Sequence, residues 1–102
     1  MAFQEFGMDN HWLPFTPNRS FRKDPRVFVA AEGMHFTTHD GKQVIDGISS
    51  LWCVAAGHRR APINDAIKAQ LDTLDYATTF QASNDKAFRA AEMIAAMAPG
   101  DL

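Results

Sequence analysis

The segment from Asp46 to His58 constrains the fold of this chain most, because it fits neither an amphipathic helix nor an alternating strand. Its sequence is Asp-Gly-Ile-Ser-Ser-Leu-Trp-Cys-Val-Ala-Ala-Gly-His, which contains no Lys, Arg or Glu. Such a run can lie against other protein, and Trp52 offers a large rigid face with one polar N–H. The segment therefore predicts one wall of a pocket. The alternative is a buried loop in which Trp52 only fills a core.

The residues from Val27 to Asp46 predict three antiparallel strands. Runs of β-branched and aromatic residues are interrupted at Gly33 and at Asp40-Gly41. Asp-Gly between two such runs is a strong hairpin signal, because a two-residue turn of this kind needs positive φ. A sheet of two or three strands is marginally stable alone, so we expect it to pack on something else.

Two helices are predicted after this sheet. The first opens at Ala61-Pro62-Ile63, where a proline suits the first turn. The second begins at Ser83 or Asn84, either of which can cap it, and ends at Ala98-Pro99-Gly100. Apolar residues recur at three- and four-residue steps in both, so each helix is expected to bury one face. The buried stripe expected on the second helix consists of Phe88, Ala91, Ile94 and Ala95.

Residues 1–26 are predicted to form an extended N-terminal arm. They contain Pro14, Pro17 and Pro25, three of the five prolines of the chain. Proline fixes its own φ and pushes the preceding residue toward extended geometry, so no long helix fits here. Aromatic residues between the prolines favour an arm that docks on a surface.

Composition excludes several classes of partner. A net charge of −2 over 102 residues gives no long-range attraction for nucleic acid or for an anionic membrane surface. The apolar stretches are interrupted well before the roughly 20 residues that a membrane span needs. The first ten residues do not resemble a secretion signal. The single cysteine, Cys53, excludes an intramolecular disulfide and fits the reducing cytoplasm, which is the expected location.

The sequence predicts no catalytic or metal-binding group in these residues. His35 and His39 would lie about 13 Å apart along a strand, too far to share a metal ion. Cys53 has only apolar neighbours, which favours an inert buried thiol over a nucleophile. His58 is interpreted as a structural turn residue. None of the four lysines has the desolvated surroundings expected of a Schiff-base lysine.

The order of the elements and a series of short motifs resemble the N-terminal quarter of class III pyridoxal-phosphate aminotransferases, nearest to the ω-amino acid:pyruvate (β-alanine:pyruvate) branch. The similarity runs from about His11 to Leu102, and the combination of motifs is more specific than any one of them. The motifs are His11-Trp12-Leu13-Pro14-Phe15-Thr16, Asp24-Pro25-Arg26, Ala30-Ala31-Glu32-Gly33, Asp46-Gly47, Leu51-Trp52-Cys53, Gly57-His58, Pro62-Ile63, Gln70-Leu71-Asp72-Thr73-Leu74-Asp75-Tyr76, Phe80-Gln81 and Pro99-Gly100.

The resemblance implies an α+β fragment of the type I pyridoxal-phosphate-dependent transferase (α/β) fold. It consists of the N-terminal arm, the small antiparallel three-stranded sheet and two helices. Residues 27–102 would form the N-terminal part of a small domain leading toward a large cofactor-binding domain. In this family two subunits form a homodimer with shared active sites, and the residues that hold pyridoxal 5'-phosphate lie beyond residue 102.

The resemblance also implies a function and a set of substrate contacts. The complete enzyme would move an amino group from an ω-amino acid or amine, such as β-alanine, to pyruvate, and this segment alone would be inactive. Trp52, Leu51 and Cys53 would line the substrate pocket, Phe15 would border it, and Phe80 would reach the site of the neighbouring subunit. The alternative function is a small non-enzymatic protein-interaction module that binds another chain through its arm and aromatic surface.

Overall fold

A computed structural model of the chain describes residues 7–100. The chain divides into two compact units, with the division in the sequence between Asn64 and Asp65. The first unit carries the N-terminal segment and the sheet, and the second carries the C-terminal helical residues. The predicted boundary at residue 26 stays a prediction. No helix in the described part of the chain is long and apolar enough to cross a membrane.

The N-terminal segment contains more local structure than the sequence indicated. A single 3-10 turn spans Met8–Asn10, and a short helix, α1, spans Asn18–Lys23. The carbonyl oxygen of Pro17 accepts hydrogen bonds from the N–H groups of Ser20 and Phe21, both at 3.0 Å. The prediction of an extended arm is therefore wrong for α1, because Pro17 precedes this helix and does not interrupt it.

The predicted three-stranded antiparallel sheet is confirmed. Its strands are β1 (Phe28–Glu32), β2 (His35–Thr38) and β3 (Gln43–Ile45), in the order β1-β2-β3. On the central strand, Phe36 lies opposite Ala31 of β1 and Val44 of β3.

Glycines with positive φ form both hairpin turns, but the two turns differ in length. Gly33 has a φ of 57° and is the first of two residues between β1 and β2. In the second hairpin the N–H of Thr38 donates to the carbonyl of Lys42, and the N–H of Gly41 donates to the carbonyl of Thr38, both at 2.9 Å. Asp40-Gly41 therefore marks the hairpin as predicted. The turn holds three residues and not two, because Gly41, with a φ of 84°, takes the left-handed position that closes a longer loop.

The boundaries of the two long helices agree with their sequence signals. After a four-residue turn, α2, at Ser49–Trp52, helix α3 spans Ala61–Thr73 and helix α4 spans Asp85–Met97. The side chain of Asn84 caps α4 by accepting a hydrogen bond of 3.0 Å from the N–H of Ala87. Ala98 ends the helix in extended geometry, just before the predicted breaker at Pro99-Gly100.

The apolar faces of these elements are not covered within the chain. Among residues 7–100 no hydrophobic residue is buried, and the two buried residues, Asn18 and Thr38, are polar. Phe88 and Ile94 of α4 are 69% and 65% exposed, so the predicted buried stripe on this helix is wrong for the chain as described. A periodic apolar pattern indicates a face suited to burial, but a second surface has to cover it.

Candidate functional site

Four consecutive residues form a left-handed turn in the described part of the chain. It spans Ser49–Trp52, labelled α2, and follows strand β3. Its four residues have φ values of 51°, 49°, 67° and 70°, and none of them is glycine. Left-handed helical geometry costs an L-residue with a side chain roughly 1–2 kcal/mol, so such a turn persists only where its surroundings hold it. These surroundings therefore define the candidate site.

The carboxylate of Asp46 holds the turn from one side. Its Oδ1 accepts the N–H groups of Ile48 at 3.3 Å and Ser50 at 3.0 Å, and its Oδ2 accepts the hydroxyl of Ser50 at 3.1 Å. The Asp46 side chain is only 4% exposed. The hydrogen bond from the backbone of Ser50 is the main cause that lowers the pKa of Asp46, burial opposes it, and His58 lowers it further. The carboxylate is thus kept ionised as an acceptor.

His58 anchors Asp46 to the sheet. Its Nε2 lies 2.7 Å from Oδ2 of Asp46, and its side chain is 11% exposed. The backbone N–H of His58 donates to the carbonyl of Gly33 at 2.7 Å, and the N–H of Gly33 donates back at 3.1 Å. The imidazole also packs on Phe36, with ring centroids 4.5 Å apart. The contacts connect the left-handed turn, through the side chains of Asp46 and His58, to strand β2 and to the turn that precedes it.

Gly57 provides the backbone geometry with which the loop returns to the sheet. Its φ is 95°, which residues with a side chain rarely adopt, whereas an added Cβ would make only ordinary contact, at 3.4 Å, with the carbonyl oxygen of Gly33. An open cleft of about 450 Å³ adjoins the contact and is lined by Asp46, Ser49 and His58 among other residues. The two glycines that bound the Asp46–His58 segment in sequence are thus part of a compact loop that returns to the first hairpin.

The sequence missed the pairing of Asp46 with His58. The structural role predicted for His58 agrees with its contacts, but its partner is 12 residues away along the chain. The available signal was an Asp and a His, each next to a glycine, at the two ends of an uncharged segment. No local pattern indicated that these ends meet.

Three of the five predicted substrate-contacting residues lie together, two of them on this turn and the third directly after it. Leu51 and Trp52 are 61% and 82% exposed, and Cys53 follows them directly. The prediction that Cys53 is buried is wrong: its thiol is exposed, and its hydrogen bond is to the carbonyl of Leu51 at 3.4 Å. The left-handed turn carries Cys53 at the surface, although its sequence neighbours are apolar.

The two other predicted residues lie elsewhere in the sequence. Phe15 precedes α1 and is fully exposed, with a φ of 50°. Phe80 belongs to the second unit, in the connection between α3 and α4, and is 88% exposed. The roles of all five residues as substrate contacts stay predictions.

The fold matches about a fifth of the fold of solved transaminases. It is similar to an amine transaminase from an uncultivated Pseudomonas species, solved with pyridoxal phosphate bound, with a TM-score of 0.76 and 34% identity over 86% of this chain and 20% of that chain. The family "Aminotransferase class-III" matches residues 18–102. The chain belongs to this family, which confirms the resemblance and the fold class predicted from the motifs.

The chain is also similar in sequence to curated aminotransferases. The chain is 47% identical to a "Beta-alanine--pyruvate aminotransferase" of Pseudomonas aeruginosa, over 96% of this chain and 22% of that protein. It is 45% identical to an "Omega-amino acid--pyruvate aminotransferase" of Pseudomonas putida, over 93% of this chain and 21% of that protein. The chain therefore spans about a fifth of the length of the relatives that it matches.

The described lysines do not fit the family's cofactor, pyridoxal phosphate. Lys42, Lys68 and Lys86 are exposed and form ion pairs with nearby aspartates, at 2.6, 3.5 and 2.7 Å. Lys23 is also exposed. A lysine that reacts with a carbonyl group needs a lowered pKa, which a desolvated site provides. The described residues also contain no cluster of three or more His, Cys, Asp or Glu suited to a metal ion.

Proposed function

We propose that this chain is the N-terminal portion of an aminotransferase that moves an amino group from an ω-amino acid or amine, such as β-alanine, to pyruvate. The residues that hold pyridoxal phosphate are proposed to lie outside these 102 residues, in a large domain of the same enzyme. The chain alone is then inactive. A homodimer is proposed for the complete enzyme, and the single cysteine supports a location in the reducing cytoplasm.

One observation carries this proposal. The exposed Leu51-Trp52-Cys53 turn lies within a region that is 47% identical to the β-alanine–pyruvate aminotransferase of P. aeruginosa. Trp52 is 82% exposed although the Asp46–His58 pair holds its backbone in a costly conformation. A large aromatic side chain that is held firmly and left uncovered is suited to contact something outside the chain.

The proposed contribution of this chain is to bind and shape the substrate. The faces of Trp52 and Leu51 would exclude water from the bound amine and limit the size of the group that fits beside it. The exposed lysines make no contribution to chemistry in this proposal. All proton and group transfer is assigned to the part of the enzyme outside this chain.

A hybrid enzyme tests the proposal. Residues 1–102 of this chain would replace the matching segment of the P. aeruginosa relative and be followed by the rest of that protein. We expect the hybrid to retain pyridoxal phosphate, seen by its visible absorbance, and to form alanine from pyruvate with β-alanine as donor. The 102-residue chain alone, given the same cofactor and substrates, should do neither. Turnover by the isolated chain, or a cofactor-loaded hybrid that does not use β-alanine, would contradict the proposal.

The alternative is a non-enzymatic interaction module, and the same exposed apolar side chains favour it. Size-exclusion chromatography and chemical unfolding of the isolated chain separate the two functions. A monomer with a cooperative unfolding transition would support a self-contained module. Aggregation, or unfolding without a cooperative transition, would support a segment whose apolar faces need the rest of an enzyme.

A further inference from the structure

The contacts of Asp46 and His58 converge on the backbone of one turn. The Asp46 carboxylate accepts hydrogen bonds from two backbone N–H groups and one hydroxyl, and its buried Oδ2 is within 2.7 Å of His58. None of these contacts reaches the Trp52 side chain itself. They hold the backbone at Ile48 and Ser50, which precede Trp52 in the sequence. In this way they determine the orientation of the backbone at Trp52.

The turn has no intrinsic preference for its geometry. Ser49, Ser50, Leu51 and Trp52 all carry side chains, so each resists positive φ. Three backbone hydrogen bonds close the turn. The N–H of Trp52 donates to the carbonyl of Ile48 at 2.9 Å, and the carbonyl of Ser49 accepts from the N–H groups of Cys53 at 2.9 Å and Val54 at 3.1 Å. The external support comes from Asp46. Without its carboxylate, the Ser50 N–H loses its acceptor and the chain is free to return to ordinary backbone geometry.

We propose that Asp46 and His58 are positioning residues for substrate selection: together they hold the left-handed turn and thereby aim the Trp52 indole at the bound amine. The proposal rests on the proposed function. Neither residue is assigned contact with substrate or cofactor. His58 acts through Asp46, and Asp46 acts through Ser50 and the turn.

The variants are chosen to separate positioning from general stability. Asp46→Ala removes every acceptor, whereas Asp46→Asn keeps Oδ1 for the two backbone N–H groups and can donate from its amide to Nε2 of His58. Asp40→Ala is the matched control, because Asp40 also accepts hydrogen bonds in a turn of the same sheet, from the Thr38 hydroxyl and Lys42. Ser50→Ala removes one hydroxyl contact and serves if Asp46→Ala does not fold.

The first readout is the ratio of kcat/KM for β-alanine to kcat/KM for an arylalkyl amine, measured in the hybrid enzyme. We expect Asp46→Ala to change this ratio at least roughly tenfold, as expected when a group that orients the substrate is misplaced. Ser50→Ala should change it less and in the same direction, Asp46→Asn should restore it, and Asp40→Ala should leave it unchanged. In a Trp52→Ala background, Asp46→Ala should have no further effect on the ratio, because the two residues act in series.

The second readout does not depend on activity. In hybrid enzyme labelled with 5-fluorotryptophan, the fluorine resonance of Trp52 is assigned by its loss in Trp52→Phe. We expect one sharp resonance, which shifts or broadens in Asp46→Ala and returns in Asp46→Asn. An unchanged resonance and an unchanged selectivity ratio in a folded Asp46→Ala enzyme would overturn the proposal, even if its melting temperature fell. An inactive hybrid would contradict the proposed function, and the fluorine spectra would then decide the positioning role by themselves.

Discussion

Replacement of Trp52 by alanine is expected to affect the choice of amine far more than folding. A tryptophan side chain can bury about 150–250 Å². Because the residue is 82% exposed, only about a fifth of that area packs within the chain. At about 25 cal/mol per Å², the loss of intrachain packing amounts to about 1 kcal/mol. A fully buried Trp→Ala change typically costs about 3–5 kcal/mol.

The exposed part of Trp52 sets the effect on activity. Complete burial of this exposed part by a ligand would contribute about 4 kcal/mol to binding at the same coefficient. This value is an upper limit, since a small amine covers only part of the indole. A loss of about 1–3 kcal/mol of transition-state stabilisation corresponds to a decrease of roughly 5- to 150-fold in kcat/KM. We therefore expect Trp52→Ala to lower kcat/KM within this range for the preferred donor and to change the ranking of donors by size.

The assay compares the hybrid enzyme with its Trp52→Ala and Trp12→Ala variants. Trp12 is the matched control because it is also exposed, at 71%, and its ring contacts Arg22, whose guanidinium carbon lies 5.6 Å from the ring centroid. Cofactor absorbance, melting temperature and kcat/KM for a series of amines are measured for each. Loss of cofactor, a destabilisation typical of a buried tryptophan, or unchanged donor selectivity in Trp52→Ala would refute the reasoning.

Three further predictions follow from individual contacts. Hydrogen bonds from Lys42, and to a lesser degree from Thr38, lower the pKa of Asp40 from 3.8 to about 2. The second hairpin should therefore lose stability as the pH falls from about 4 toward 2. Titration of the Asp40 carboxyl by NMR checks this, and a midpoint near 3.8 would contradict it. Gly33→Ala should destabilise the sheet by about 1 kcal/mol, because residue 33 has a positive φ that alanine disfavours. Steric clash should add nothing, since no atom lies within 4 Å of the new Cβ. Faster amide exchange in β1 and β2 would show the loss of stability. Asn84→Ala should weaken α4 by about 1 kcal/mol, seen as lower helical content by circular dichroism in a peptide of residues 83–100, whereas Asn84→Asp should retain it.

Features that depend on neighbouring residues could be predicted well. Pro62 near the start of α3, Asn84 before α4 and Pro99 after it act through the backbone within one turn, and the structure places each helix boundary accordingly. The Asp40-Gly41 signal located the second hairpin for the same reason, although its turn is one residue longer than predicted.

Burial could not be predicted in this way. Apolar periodicity predicted a buried face on each long helix, yet no hydrophobic residue is buried among residues 7–100. Periodicity shows which face of α4 is apolar, but burial requires a second surface to approach it. Phe88 shows the difference, since its position on the apolar face was read correctly and its burial was not.

The residues Ser49–Trp52 show the limit of sequence reasoning most clearly. Their lack of charge and the presence of Trp52 among them were enough to predict one wall of a pocket, because polarity and side-chain size are properties of each residue. Their left-handed backbone was not readable, since no glycine is present to indicate it. That conformation depends on Asp46, on a histidine 12 residues further along and on Gly33 in another hairpin. Contacts between such distant positions form only when the chain has folded, and they hold a geometry that the local residues disfavour.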